Sequence, residues 1–206
     1  MKIWDSYIRI FHWGQALLIP ALWWTADSGE MLWHQWLACL LLSLWLVRVL
    51  WGLCGSDTAR FGQFIYPPRQ LWAYLRGAPA PRAGHNPAGG YMVALMLLLV
   101  GIQLLTGLAA SDGIFTDGPL AQWVGSDWSE RLTSWHHLSF DLLLILIAIH
   151  LLAVLLYAWR GQPLVRQMID GGQRSQGRLV KGRWPLLAAL LLFGLLALWW
   201  PLPPLW

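Results

Sequence analysis

The chain has 206 residues, of which 57% are apolar types and only 12% are charged. Soluble domains carry about 25% charged residues, so an ordinary soluble domain is excluded and an integral membrane protein of one compact helical unit is expected. The net charge of +4 is distributed as a topology signal, described below, and does not mark a nucleic-acid-binding surface.

Five apolar stretches are long enough to be candidate spans, at about 17–25 residues per crossing. The first, 10–26, carries His12 at its start and has no persuasive cleavage site, so it is read as a retained helix and not a signal peptide. The second, 32–53, opens near His34; Cys39 and Cys54 lie on the same helix. Fifteen residues on a helix is about 22 Å, beyond disulfide reach, so both are expected as free thiols. No C-x-x-C-H occurs, so covalent haem attachment is not indicated.

A long loop of about 54–89 follows, with five prolines. Within it "IYPPRQLWAYLRG" has the pattern of an amphipathic surface helix, and "GHNPAGG", with His85 and Asn86, is a helix-entry turn. The third stretch is 90–110. Loop 111–133 places Trp123 and Trp128 at headgroup level. The fourth, 134–159, contains "SWHHLSFDLLLILIAIHLL", with His136, His137, Asp141 and His150. A basic linker then leads to the fifth, 184–200, which has no charge and no histidine. The expected fold is an all-α membrane domain over 1–170, with linker and additional transmembrane helix over 171–206.

Thirteen of the fourteen Lys and Arg residues fall on one side of these spans: Lys2, Arg9, Arg48, Arg60, Arg69, Arg76, Arg82, Arg160, Arg166, Arg174, Arg178, Lys181 and Arg183. The other side holds only Arg131, with Asp27, Glu30, Asp112, Asp117, Asp127 and Glu130. The positive-inside rule then puts the N-terminus in the cytoplasm and the C-terminus outside.

Ionisable groups inside a span are costly and usually have a partner or a task. His136 and His150 are fourteen residues apart, within about 40° of four full turns, so they share a face about 21 Å apart. His137 is offset by about 140° from His150 and looks elsewhere. His34 is level with His136 at the external side, and His12 is level with His150 at the cytoplasmic side. Two pairs at two depths result, His34/His136 and His12/His150. Two neutral imidazoles from different helices can ligate haem iron axially, and the separation suits two haems stacked across a bilayer. Zinc, which prefers four ligands, and cofactor-free hydrogen bonding between helices are the competing readings. His34 to Arg48 repeats the fourteen-residue spacing, which brings a guanidinium to the inner level; Arg9 is three residues from His12. Both suit haem propionates through the bidentate fork, or serve as topological anchors.

The segments "RIFHW" (9–13), "WHQWLACLLLSLWLVRVLWG" (33–52), "GHNPAGG" (84–90) and "WHHLSFDLLLILIAIH" (135–150) together resemble the bacterial cytochrome b561 family, which includes b-type cytochrome subunits of nickel–iron hydrogenases and is similar to the formate dehydrogenase gamma subunit. The resemblance covers about 3–170. It implies a four-helix transmembrane bundle holding two haem b groups, with His12, His34, His136 and His150 as axial ligands. It also implies electron transfer between quinone and an external redox partner. Many members have Glu and Asn where this chain has His137 and Asp141. Those two sit at i and i+4 and can touch; a buried acid–imidazole pair relaying protons and a plain hydrogen bond are both open readings.

The expected function is that of a dihaem cytochrome of the bacterial inner membrane. It would link quinone to a periplasmic redox partner, such as a c-type cytochrome or a hydrogenase-like or dehydrogenase subunit, alone or in a homo- or hetero-oligomer. Acidic external loops fit a basic partner. A superoxide:quinone oxidoreductase at the external haem is the enzymatic alternative; an anionic substrate would want a positive funnel there. A cofactor-free transporter or scaffold is the third. The quinone site is not assigned by the sequence beyond the candidate turn at His85 and Asn86.

Overall fold

A computed structural model describes residues 2–80, 84–172 and 184–199. Arg82, Arg174, Arg178, Lys181 and Arg183, and with them the basic linker, lie outside the described residues, as does the end of the chain from Trp200. The described residues form helices α1 (Ser6–Asp27), α2 (Met31–Cys54), α3 (Phe61–Phe64), α4 (Pro68–Leu75), α5 (Pro87–Gly107), α6 (Ala121–Val124), α7 (Ser126–Trp159), α8 (Leu164–Asp170) and α9 (Trp184–Trp199). No strand occurs among them; the nearest feature is one isolated bridge between Ser111 and Asp117.

Three helices, α2, α5 and α7, are long and apolar enough to cross a membrane. Helix α1 has 22 residues, about 33 Å, but its histidine, glutamine and tryptophans dilute its hydropathy. Helix α9 has 16 residues, short for a full crossing at 1.5 Å per residue. The amphipathic segment in the long loop is helical, as α4, with Pro68 at its first position, where a missing N–H costs nothing.

Helices α1 and α2 pack together, α5 packs on α7, and the two pairs meet through α2 and α5. The α1–α2 join is fixed at its Arg48 end, called the inner end. Asp5 caps α1, accepting from the Ile8 backbone N–H at 2.8 Å, and its second oxygen accepts from Trp51 Nε1 at 2.9 Å. Both residues are buried, so each polar atom gains a partner that water would otherwise supply. Tyr7 adds a hydrogen bond to the Leu44 carbonyl at 2.7 Å. Across the middle, Trp45 donates to the Leu97 carbonyl of α5 at 2.9 Å.

Helix α9 lies along α2, with Trp184 against Trp51 and Phe193 against Trp36 at ring-centre distances of 5.0 and 6.0 Å. The core at the inner end of α2 includes Ala189 of α9. Helix α7 turns a long apolar face outward, including Leu142, Ile145, Ile149, Leu152 and Leu155; a surface of that kind suits lipid and not water.

Candidate functional site: two histidine pairs at two depths

The α1–α2 pair and the α5–α7 pair hold four histidines at two levels of the bundle. His12 of α1 and His150 of α7 have ring centres 6.3 Å apart; His34 of α2 and His136 of α7 have theirs 6.5 Å apart. In neither pair are the rings stacked, the interplanar angles being 57° and 76°. Two imidazole nitrogens on opposite sides of one metal ion, each about 2 Å from it, put the ring centres about 6 Å apart once the ring half-widths are added. Both pairs therefore have the spacing at which two imidazoles could hold one metal ion between them. Among the described residues no group of three or more His, Cys, Asp or Glu converges as a metal site, so the four-ligand arrangement that zinc prefers is not formed.

The outer pair is held by the main chain. His34 Nδ1 lies 2.9 Å from the Leu22 carbonyl, and His136 Nδ1 lies 2.9 Å from the Gln103 carbonyl. A carbonyl accepts only, so each Nδ1 carries the hydrogen and each Nε2 is left with its lone pair. That is the tautomer a metal needs. The Gln103 amide donates to His136 Nε2 at 3.0 Å, while its oxygen accepts from Ser139 Oγ at 2.5 Å. Gly107, one turn further along α5, lets α7 come close: a Cβ there would sit 2.8 Å from the His136 ring.

Gln103 and Gly107 were not singled out in the sequence. The available signal was modest: a glutamine within an apolar span, with a glycine four residues on along the same helical face.

A cavity of about 650 Å³ opens at this level, lined by His34, His136, Gln103, Cys39, Asp27 and Asp112 among others. His137 and Asp141 also line it. Neither open reading of these two as a contacting pair is realised: both side chains are exposed, and no hydrogen bond or ion pair joins them. Their face of α7 opens on the cavity, where no packing partner forces the two groups together.

The inner pair has a different surround. His12 Nδ1 is buried without a hydrogen-bond partner, and so are Arg48 Nη1, Arg9 Nε and His85 Nδ1. Arg48 is 3% exposed, with its guanidinium 5.6 Å over the Phe61 ring. A buried cation with an idle donor calls for an anion, and Arg48 fits a propionate carboxylate in that role. Arg9 is partly committed elsewhere: its Nη1 donates to the Ile169 carbonyl at 2.5 Å, at the C-terminal end of α8. His85 stands between Trp4 and Phe64, at ring-centre distances of 4.6 and 5.0 Å. Burial, with the nearby positive charge of Arg48 as a second cause, holds its pKa down to about 3, so the ring is neutral at physiological pH.

Asn86 has a structural task. Its oxygen accepts from the Gly89 N–H at 2.8 Å, capping α5, and its nitrogen donates to the Tyr157 hydroxyl at 2.8 Å. Tyr157 meets Tyr74 of α4 at 2.8 Å. The helix-entry turn is thereby tied to α4 and α7, and only His85 of the two candidates keeps a free polar atom.

Against known protein families, the model described as "Prokaryotic cytochrome b561" matches residues 3–171. The chain belongs to the prokaryotic cytochrome b561 family. A cytochrome b561 of this kind is a membrane b-type cytochrome, and the two histidine pairs and the buried guanidinium fit that cofactor class. Among curated proteins the cytochrome is similar to the "Probable Ni/Fe-hydrogenase B-type cytochrome subunit" of Cupriavidus necator, at 21% identity over 215 positions, covering 82% of this chain and 85% of the relative. No solved structure matches it.

Proposed function

We propose that this cytochrome b561 holds two haem b groups, one between His34 and His136 and one between His12 and His150, and carries electrons across the bacterial inner membrane. The two ring separations of 6.3 and 6.5 Å are the observation that carries the reading. Bound haem supplies one-electron chemistry at its iron. The chain fixes Nδ1 of both outer rings on main-chain carbonyls, with the Gln103 amide on His136 Nε2, and offers Arg48 and Arg9 to the inner propionates. Helices α1 and α9 complete a four-plus-one set of crossings, with the N-terminus cytoplasmic and the C-terminus periplasmic.

Electrons pass between membrane quinone and a redox partner on the outer face. The likeness to a hydrogenase cytochrome subunit supports a redox enzyme as that partner, with a c-type cytochrome the other class that acidic loops would receive. Quinone is assigned to the inner end beside His85, whose Nδ1 is buried and free. His137 and Asp141 are candidates for proton exchange at the outer cavity; an unchanged pH dependence of turnover in His137→Ala removes them. Superoxide oxidation is disfavoured, because the described lining of the outer cavity carries Asp27, Asp112 and Asp141 and no Lys or Arg, which repels an anion.

The test is optical. Reduced-minus-oxidised spectra of purified protein are expected to show two b-type haems per chain, with His12→Ala losing one and His34→Ala the other. A colourless protein rules the proposal out.

A further inference from the structure

Helix α4 has three sectors, and the protein itself covers only one of them. At 100° per residue Leu71 and Tyr74 fall on the same side of the helix. Both are half-buried, the helix packs on α5, and the Tyr74 hydroxyl meets that of Tyr157 of α7 at 2.8 Å. Leu75 and Trp72 come next around the axis. They are 59% and 62% exposed, and Ile65, just before the helix, is 43% exposed. Arg69 and Arg76 follow, within about 20° of each other on the helical wheel, and both are exposed.

The depth of α4 is fixed. Tyr157 lies in the last turn of α7, and it accepts from Asn86, the cap of α5. Helix α4 is therefore level with the ends of two spanning helices, where hydrocarbon gives way to headgroups. An apolar flank at that level meets acyl chains, and the basic sector beside it meets phosphate. Arg160, at the end of α7, acts electrostatically on Tyr74 and adds a third cation. The acids of this end are already engaged: Asp5 by Ile8 and Trp51, Asp57 by Arg60 and Asp170 by Arg166. None of Arg69, Arg76 and Arg160 forms an ion pair among the described residues.

We propose that α4 is a binding site for an anionic phospholipid, with Trp72 and Leu75 against its acyl chains and Arg69, Arg76 and Arg160 around its phosphate. An occupied site presses α4 onto Tyr157, and so braces the Asn86 turn that carries His85. A net negative headgroup is favoured over a zwitterionic one by about fivefold per guanidinium at the surface. The site stands whether or not the histidine pairs hold haem.

The experiment is native mass spectrometry of the purified full chain in dodecyl maltoside, titrated with dioleoylphosphatidylglycerol or dioleoylphosphatidylcholine. Tighter binding of phosphatidylglycerol is expected. Arg69→Gln/Arg76→Gln should remove most of that preference, and Trp72→Ser should weaken binding of both lipids. Arg131→Gln, at the opposite end of the bundle, should change neither. These side chains are exposed, so the variants are expected to fold, and an unchanged melting midpoint without lipid checks it. Equal binding of the two lipids, or a preference that survives Arg69→Gln/Arg76→Gln, overturns the inference. So does binding of glycerol 3-phosphate as tight as that of the lipid, which marks a soluble phosphate site. A dimer mass lost in Trp72→Ser, with no lipid preference, gives the face to a second copy and overturns it as well.

Discussion

His34 and His136 come from different helices, yet their rings stand 6.5 Å apart with each Nδ1 on a main-chain carbonyl. The anchoring matters as much as the distance. A histidine that rotates or changes tautomer is a poor ligand, and a hydrogen bond to the far nitrogen removes both freedoms. Both outer rings are therefore oriented by backbone carbonyls.

Ligand pairing makes a prediction about non-additivity. If His34 and His136 serve one haem, the double variant His34→Ala/His136→Ala should lose the same single haem as either variant alone, because residues acting as a unit are not additive. A His34→Ala/His150→Ala chain should lose both. Haem content per chain, from pyridine haemochrome spectra, checks each count.

Gly107 should not tolerate a side chain. A Cβ would lie 2.8 Å from the His136 ring, so Gly107→Val must push either α5 or the imidazole aside. The expected result is loss or spectral distortion of the outer haem with the inner one retained, read in the same difference spectra. Overpacking of this kind typically costs about 1–3 kcal/mol.

Removing the Trp51 donor should destabilise the inner end. In Trp51→Phe the ring packing is largely kept, but the buried Asp5 Oδ2 loses its partner. An unsatisfied buried acceptor costs about 1–3 kcal/mol. Thermal unfolding in detergent should show a lower midpoint for this variant, while Asp5→Asn/Trp51→Phe should recover part of the loss.

Acid sensitivity should arise at His85. Its folded pKa is near 3, whereas an unfolded histidine titrates near 6.5. Above about pH 6.5 both states are neutral and His85 makes stability independent of pH. As pH falls below that value the unfolded state takes up a proton that the folded state refuses, so stability is lost progressively toward pH 3. Melting temperatures between pH 7.5 and 5 should fall less steeply in His85→Gln than in the unmodified chain.

The sequence by itself determined the membrane class, the helical periodicity and which histidines meet at one level of the bundle. Those are local properties: apolar runs report a lipid environment, and a fourteen-residue spacing puts His136 and His150 on one face four turns apart. It also exposed the amphipathic α4. It did not reveal Gln103, Gly107 or the Leu22 carbonyl, because each acts across a helix interface and leaves only a weak trace in its own helix. The same limit applied to His137 and Asp141. Their i, i+4 spacing allowed contact, but whether two side chains on one helix are pressed together depends on what packs against that face, and here it opens on a cavity. Asn86 stood in a candidate quinone turn and, as the stronger reading, in a plain helix-entry turn; Gly89 and Tyr157, which take both ends of its amide, make it part of that turn. Spacing along one helix is fixed by the covalent chain; which groups find partners is decided only when the helices meet.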